Sequence, residues 1–170
     1  MTYDLVIRNG TVVDGTGGKR FRADVAIAAG KVAEIGKVTE GAKRTIDADG
    51  LIVAPGFVDP HTHYDAQICW DGAVTPSSWH GVTSVVMGNC GVGIAPCKPA
   101  AREIAMRDLV NVEGIPSEVL NQGITWDWQT FPQFMDAFAR RNQTLNLAFI
   151  APLTPFRHYV MGEASMERAA

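Results

Sequence analysis

Residues 51–63 read Leu-Ile-Val-Ala-Pro-Gly-Phe-Val-Asp-Pro-His-Thr-His, an apolar run that ends in two histidines separated by one residue. The apolar part does not alternate with polar residues, which is typical of a strand buried on both faces of a parallel sheet. Two further runs of this kind are Thr-Ser-Val-Val-Met-Gly-Asn-Cys at 83–90 and Leu-Asn-Leu-Ala-Phe-Ile-Ala-Pro at 145–152. We therefore expect three buried parallel strands.

The residues before this stretch show a different pattern. Their apolar runs are short and alternate with polar residues, and Gly, Asn and Asp separate the runs. This pattern is typical of half-buried antiparallel strands joined by tight turns, and the turn at Gly30 has the length of a two-residue hairpin. Residues 1–53 are therefore predicted to form a β-sandwich segment.

The rest of the chain, residues 54–170, alternates strand and helix signals. Four apolar residues recur at helical spacing before the third run: Phe131, Phe134, Met135 and Phe138. They predict an amphipathic helix over about residues 130–141 with all four side chains in the core. Strand–helix alternation indicates a (β/α)8 TIM-type barrel, which needs about 250 residues. We expect residues 54–170 to form about three βα units of such a barrel, which is therefore incomplete.

Two other segments carry expectations of their own. Residues 91–128 contain three prolines and are predicted to be a long loop over the mouth of the barrel. Residues 162–170 are rich in helix formers and are predicted to begin a helix with Ser165 as its N-cap. Because no stop signal follows, we expect this helix to be cut short.

Composition excludes several classes of function. The chain has 170 residues, 46% of them hydrophobic, with 15 basic and 18 acidic residues and a net charge of −3. It offers no basic surface for nucleic acid, no apolar stretch long enough for a membrane helix and no signal peptide. We expect a cytoplasmic protein without nucleic-acid or membrane partners. The three cysteines contain no Cys-x-x-Cys pair, so each is read as a free thiol or a ligand.

The candidate site is formed by His61, His63 and Cys90. Two histidines separated by one residue on a strand point to the same side, where both imidazoles can reach one metal ion. Cys90 is the last residue of the second apolar run, and parallel strands bring their C-terminal ends to the same side of the sheet. A thiolate and imidazoles are zinc ligands. The three residues are therefore predicted to bind one metal position.

Two further residues are candidates for contacts around this site. Asp65 could hold an imidazole N–H or bind substrate, or it could cap a following helix, and the sequence leaves these alternatives open. His80 precedes the second run and could pack or form a hydrogen bond beside the site. No residue of the chain has a clear claim to be the general base.

Several segments resemble one family of enzymes. Residues 9–17 (NGTVVDGTG) and 48–67 (ADGLIVAPGFVDPHTHYDAQ) resemble the start of amidohydrolase superfamily members. More specific segments resemble the N-acyl-D-amino-acid deacylases, also called D-aminoacylases: PSSWHGVTSVVMGNCGVGIAPCKP at 76–99, VEGIP at 112–116, WDWQTFPQFMDA at 126–137 and RHYVMGE at 157–163. The resemblance spans essentially the whole chain. One departure is Pro-Leu-Thr at 152–154, where relatives often have a histidine.

The resemblance implies a zinc-dependent hydrolase that acts on the amide bond of N-acyl-D-amino acids, with one or two Zn²⁺ ions per complete site. It implies that His61, His63 and Cys90 are metal ligands, and that further histidines and the general base lie beyond residue 170. The chain is then a truncated version with little activity of its own. Self-association would cover the open edges of its sheet.

Two other functions remain open at this point. The first is a cyclic-amide amidohydrolase, hydantoinase-like or dihydroorotase-like, although those enzymes use a carboxylated lysine as bridging ligand and Cys90 therefore disfavours them. The second is a noncatalytic metal-binding or assembly module.

Overall fold

The computed structural model describes residues 2–169. The chain divides into two compact units, Met1–Pro55 and Gly56–Ala170. Each unit has its own sheet.

The first unit contains a single five-stranded sheet. Its strands are β1 (Tyr3–Val12), β2 (Phe21–Ala28), β3 (Lys31–Gly36), β4 (Ala42–Asp47) and β5 (Ile52–Val53). The order is β3-β2-β1-β4, and β5 pairs with the end of β1. The described residues of the first unit thus form one sheet. They do not include the second sheet that a β-sandwich requires.

The direction of two strands differs from the expectation. β1 pairs antiparallel with β2, but parallel with both β4 and β5. The prediction of an all-antiparallel segment was therefore wrong. The reason is topological: the β2–β3 hairpin lies on one side of β1, and the chain then crosses to the other side and runs in the direction of β1.

The hairpin at Gly30 is confirmed. Ala28 pairs with Lys31 across a two-residue turn. Both turn residues have positive φ, 51° at Ala29 and 73° at Gly30. This is the backbone of a type I′ turn, whose twist matches that of the flanking strands.

The second unit contains three parallel strands in sequential order, β6 (Phe57–Asp59), β7 (Val82–Met87) and β8 (Asn146–Phe149). Four helices follow or separate them: α1 (Arg102–Glu113), α2 (Ser117–Gly123), α3 (Phe131–Ala139) and α4 (Leu153–Met161). The core packs one face of the sheet against these helices, and its largest fully buried side chains include Ile68, Met87, Leu120 and Phe134.

The strands are not buried on both faces as predicted. Phe57 and Val58 of β6 are 66% and 64% exposed, because β6 is an edge strand of the described sheet. Along the second half of β7 burial alternates, since Val85 and Met87 are fully buried and Val86 between them is only partly buried. An uninterrupted apolar run therefore does not by itself indicate that both faces are covered.

Helix α3 agrees closely with its prediction. Thr130 caps it in a capping box with Gln133, in which each side chain bonds the other's main-chain N–H. Phe134 and Phe138 are buried in the core. Met135 was wrongly placed there: it is 38% exposed, because it lies at the edge of the apolar stripe.

Residues 91–128 are largely helical, which corrects the prediction of a long loop. They include α1, with Ala105 and Leu109 buried at helical spacing, and α2. The prolines lie outside the helix interiors: Pro116 precedes α2 and Pro99 begins a short 3₁₀ turn. Prolines at such places begin helices rather than break them.

The predicted N-cap at Ser165 was also wrong. Ser165 is buried inside a 3₁₀ helix, Gly162–Met166, that directly follows α4. Its hydroxyl donates to the Gly162 carbonyl and lies 2.6 Å from Nδ1 of His158, whose Nε2 is 3.0 Å from Asp108. This chain of contacts fastens α4 to α1. None of the helices in residues 2–169 has the length and apolarity needed to cross a bilayer.

Candidate metal centre

The two histidines follow the C-terminal end of β6, and Thr62 between them fixes their position. The Asp59 carboxylate accepts the His61 main-chain N–H, which turns the chain after the strand. Both the main-chain N–H and the hydroxyl of Thr62 donate to the Val86 carbonyl of β7, at 3.0 and 2.7 Å. Because Thr62 is thereby buried against β7, the flanking imidazoles turn away from it, and their ring centroids are 5.4 Å apart.

Cys90 is presented by a tight turn after β7. Gly88 has a φ of 82°, and a Cβ there would lie 2.0 Å from the Ile150 carbonyl oxygen. Cys90 itself has a φ of 55°, which is rare for a residue with a side chain. Asn89 braces the turn, since its amide donates to the Thr62 and Val86 carbonyls. The strain at Cys90 is thus held in place by close packing and hydrogen bonds.

The structure brings His61, His63 and Cys90 together. One ligand atom from each lies within 4.8 Å of the others. His61 Nε2 is 3.3 Å from Cys90 Sγ, a distance suited to a hydrogen bond or to two ligands of one cation. Ligand atoms on a tetrahedral zinc ion with bonds of about 2.0–2.3 Å lie roughly 3.3–3.8 Å apart. The His61–Cys90 distance has this value, and two imidazole nitrogens and a sulfur are a donor set that suits zinc.

Among the described residues, Asp65 neither caps the following helix nor forms a hydrogen bond to an imidazole. It is 5% exposed, and its carboxylate accepts the Gly88 N–H at 3.3 Å. The 3₁₀ helix that follows, Gln67–Cys69, has Ala66 at its N-cap position and no side-chain cap. Asp65 therefore joins the histidine segment to the cysteine turn. Burial raises its pKa to about 7, and the nearby Glu113 carboxylate acts in the same direction.

His80 lies apart from this group. It is the last residue of a 3₁₀ helix, Ser77–His80, that precedes β7, whereas Cys90 follows the other end of that strand. Its side chain is exposed. His80 therefore lies at the N-terminal ends of the parallel strands, whereas the three candidate ligands lie at their C-terminal ends.

Glu113 is a neighbour of the site that sequence reasoning missed. Its Oε1 lies 3.0 Å from Nδ1 of His63. Glu113 is 50 residues from His63 in the chain, at the end of a helix that was predicted to be loop. Only its place in the VEGIP segment, noted as part of the family resemblance, could have drawn attention to it.

The three thiols are expected to react at very different rates with iodoacetamide. Cys90 is exposed, whereas burial raises the pKa of Cys69 and of Cys97 to about 11. At pH 8 the fraction of each buried thiol that is ionised to the thiolate is roughly 100-fold smaller than for an ordinary cysteine. Mass spectrometry of the metal-free native chain should therefore show one rapid modification, at Cys90, and Cys90→Ser should remove it. Rapid modification of two thiols would contradict this prediction.

Asp65 is expected to make stability depend on pH. Its pKa is about 7 in the folded chain and about 4 when unfolded, so the folded state binds the proton more tightly. The free energy of unfolding should therefore fall as pH rises from 4 to 7, by up to roughly 4 kcal/mol. Urea unfolding of the metal-free chain at several pH values would measure this slope.

The matched control for that experiment is Asp136→Asn, at an exposed position of α3. Asp65→Asn keeps an oxygen to accept the Gly88 N–H but cannot ionise, so the difference between it and wild type isolates this carboxyl. Asp136→Asn should follow wild type. Equal slopes for wild type and Asp65→Asn would refute the assignment.

Comparison with known proteins gives a consistent family. Residues 44–170 match the model of the amidohydrolase family. A D-aminoacylase of Alcaligenes xylosoxydans xylosoxydans is 32% identical over 169 residues, which cover 99% of this chain and 32% of that protein. The chain thus spans about a third of the length of this relative.

Two solved structures share the fold over nearly the whole chain. One is an N-acyl-D-glutamate deacylase of Bordetella bronchiseptica in complex with zinc and a phosphonate inhibitor (TM-score 0.77, 29% identity, 96% of this chain and 32% of that one). The other is a D-aminoacylase studied for the role of its binuclear metal centre (TM-score 0.76, 31% identity, 95% of this chain and 32% of that one). The match over residues 44–170, together with these similarities, shows that the chain belongs to the amidohydrolase family.

Proposed function

We propose that this chain supplies a zinc site for the hydrolysis of N-acyl-D-amino acids. The observation that carries the proposal is the convergence of His61, His63 and Cys90, whose ligand atoms lie within 4.8 Å of one another. They follow the C-terminal ends of two adjacent parallel strands, β6 and β7, which is where barrel enzymes place their ligands. The zinc complex of the N-acyl-D-glutamate deacylase that shares this fold supports the choice of metal. The binuclear centre of the D-aminoacylase supports one or two ions per complete site.

The class of substrate follows from the relatives and from Cys90. The names of these relatives, D-aminoacylase and N-acyl-D-glutamate deacylase, indicate that they act on N-acyl-D-amino acids. Cyclic-amide amidohydrolases use a carboxylated lysine as bridging ligand, so a cysteine among the candidate ligands favours the deacylase over the ring-opening branch.

The three parallel strands are, in this proposal, part of a (β/α)8 barrel. Their sequential parallel order β6-β7-β8, the helices α1, α2 and α3 between β7 and β8, and α4 after β8 support this assignment, whereas only short 3₁₀ helices lie between β6 and β7. The chain would then consist of a β domain over residues 1–53 and a barrel domain over residues 54–170.

Each residue of the proposed zinc site would have a distinct role. His61, His63 and Cys90 would hold the ion, and Asp65 and Asn89 would keep their two loops in register through Gly88 and Thr62. When bound, zinc would polarise the acyl carbonyl and make a water-derived nucleophile available at neutral pH. Neither Asp65 nor Glu113 would be free to carry the proton to the leaving amine, because Asp65 is buried against Gly88 and Glu113 contacts His63.

The test is hydrolysis of N-acetyl-D-methionine, N-acetyl-L-methionine and a hydantoin by the zinc-loaded 170-residue chain, followed by chromatography of the products. We expect slow release of D-methionine that requires zinc and exceeds release of the L-enantiomer. Hydrolysis should disappear in Cys90→Ser. Turnover of the hydantoin alone would favour the cyclic-amide branch, and a stable zinc-bound oligomer without hydrolysis would favour the noncatalytic module. Either result would overturn the proposal.

A further inference from the structure

Glu113 occupies a position that is locally unfavourable for an acidic residue. It is the last residue of α1, which ends at Gly114 with a φ of 67°. The C-terminal end of a helix carries partial negative charge, so an acidic side chain there costs about 0.3–1 kcal/mol. The last turn of α1 contains no basic residue. An unfavourable residue at such a place suggests a role outside the helix.

The side chain of Glu113 is directed to one partner. Its Oε1 lies 3.0 Å from Nδ1 of His63, and the two side chains are only 18% and 24% exposed. The Nδ1 atom is buried and has no aligned hydrogen-bond partner. The carboxylate is therefore within hydrogen-bond distance of Nδ1, and rotation of the imidazole ring would align the Nδ1–H with it.

The other nearby acid, Asp65, is engaged elsewhere. Its carboxylate accepts the Gly88 N–H, and Gly93 packs closely against its other oxygen, since a Cβ there would lie 3.0 Å from Oδ1. Among residues 2–169, Glu113 is the acid whose side chain lies within ion-pair distance of the side chain of a candidate ligand.

We propose that Glu113 is a positioning residue for His63. It accepts the Nδ1 proton, and this holds His63 in the tautomer whose Nε2 carries the lone pair. That lone pair is then available to the ion shared with His61 and Cys90. Carboxylates in contact with metal-binding histidines act in this way, and their loss typically costs 10–100-fold in metal affinity. The proposal rests on the proposed zinc site and adds that helix α1 controls one of its ligands.

The first experiment measures zinc affinity of the 170-residue chain by competition with a chromophoric chelator. Glu113→Gln should weaken zinc binding 10–100-fold, because the amide is a weaker acceptor than the carboxylate. Glu118→Gln is the matched control, since it makes the same change at an exposed position in the first turn of α2. It should bind zinc as wild type does.

The second experiment uses ¹⁵N chemical shifts of the His63 ring in the metal-free chain. Wild type should show the Nδ1–H tautomer, and Glu113→Gln should show a mixture of the two tautomers. A purely structural role of Glu113 would not move this equilibrium. The wild-type spectrum alone decides the question if Glu113→Gln fails to fold, because an Nε2–H tautomer in wild type would overturn the proposal.

The outcomes separate this proposal from the zinc site itself. If wild type does not bind zinc, or if Cys90→Ser binds it as well as wild type, the zinc site is wrong. If wild type binds zinc and Cys90→Ser does not, but Glu113→Gln binds like wild type, the role of Glu113 alone is wrong.

Discussion

Cys90→Ser should lower the zinc affinity of the chain at least 100-fold, equivalent to about 2.7 kcal/mol of binding free energy. The thiolate is the single anionic ligand of the three, and a serine hydroxyl remains protonated and binds zinc weakly. Cys90 is exposed, so its loss should leave the unfolding midpoint nearly unchanged. Competition titration with a chromophoric chelator and thermal unfolding of the metal-free chain measure the two quantities.

Cys69→Ser provides the comparison for this variant. It makes the same chemical change at a thiol that packs against the core rather than facing the histidines. We expect it to reduce stability somewhat and to leave zinc affinity within about twofold of wild type. Equal zinc affinity in both serine variants would show that Cys90 is not a ligand.

Gly88→Ala should destabilise the second unit by at least about 3 kcal/mol. Alanine would have to adopt a φ of 82°, and its Cβ would lie 2.0 Å from the Ile150 carbonyl oxygen. The first effect costs about 1 kcal/mol, and the second forces the main chain of β7 away from the segment after β8. Because Cys90 follows two residues later, the displacement should also weaken zinc binding. Urea unfolding and the chelator titration would measure both effects.

Gly81→Ala isolates the contribution of the clash. Gly81 has a φ of 81° and precedes the same strand, but a Cβ there would meet only the Phe57 ring at 3.7 Å, an ordinary contact. Its substitution should cost about 1 kcal/mol, the conformational part alone. A similar loss of stability in both variants would mean that the close approach to Ile150 is not what Gly88 provides.

The sequence allowed the candidate ligands to be grouped because they lie close to strand ends. His61 and His63 directly follow one strand and Cys90 another, and parallel strands align their C-terminal ends without any knowledge of helix packing. The register that places His61 3.3 Å from Cys90 depends on hydrogen bonds of Thr62 and Asn89, which no periodicity indicates.

Glu113 and the strand directions of the first unit could not be predicted in this way. The contact between Glu113 and His63 depends on how α1 packs against the sheet. The prolines of the segment that contains α1 predict a loop, whereas Ala105 and Leu109 lie at helical spacing on one buried face. Likewise, apolar alternation gives the faces of β1 but not the direction of its partners. Long-range packing decided each of these features.

The Val86 carbonyl accepts hydrogen bonds from Thr62, twice, and from Asn89. This acceptor belongs to the main chain, so no exchange of the Val86 side chain can delete it, and an alanine scan would overlook it. The side chains that determine the alignment of the two loops are therefore the hydrogen-bond donors Thr62 and Asn89. With the loops already aligned, capture of an ion would cost little conformational entropy.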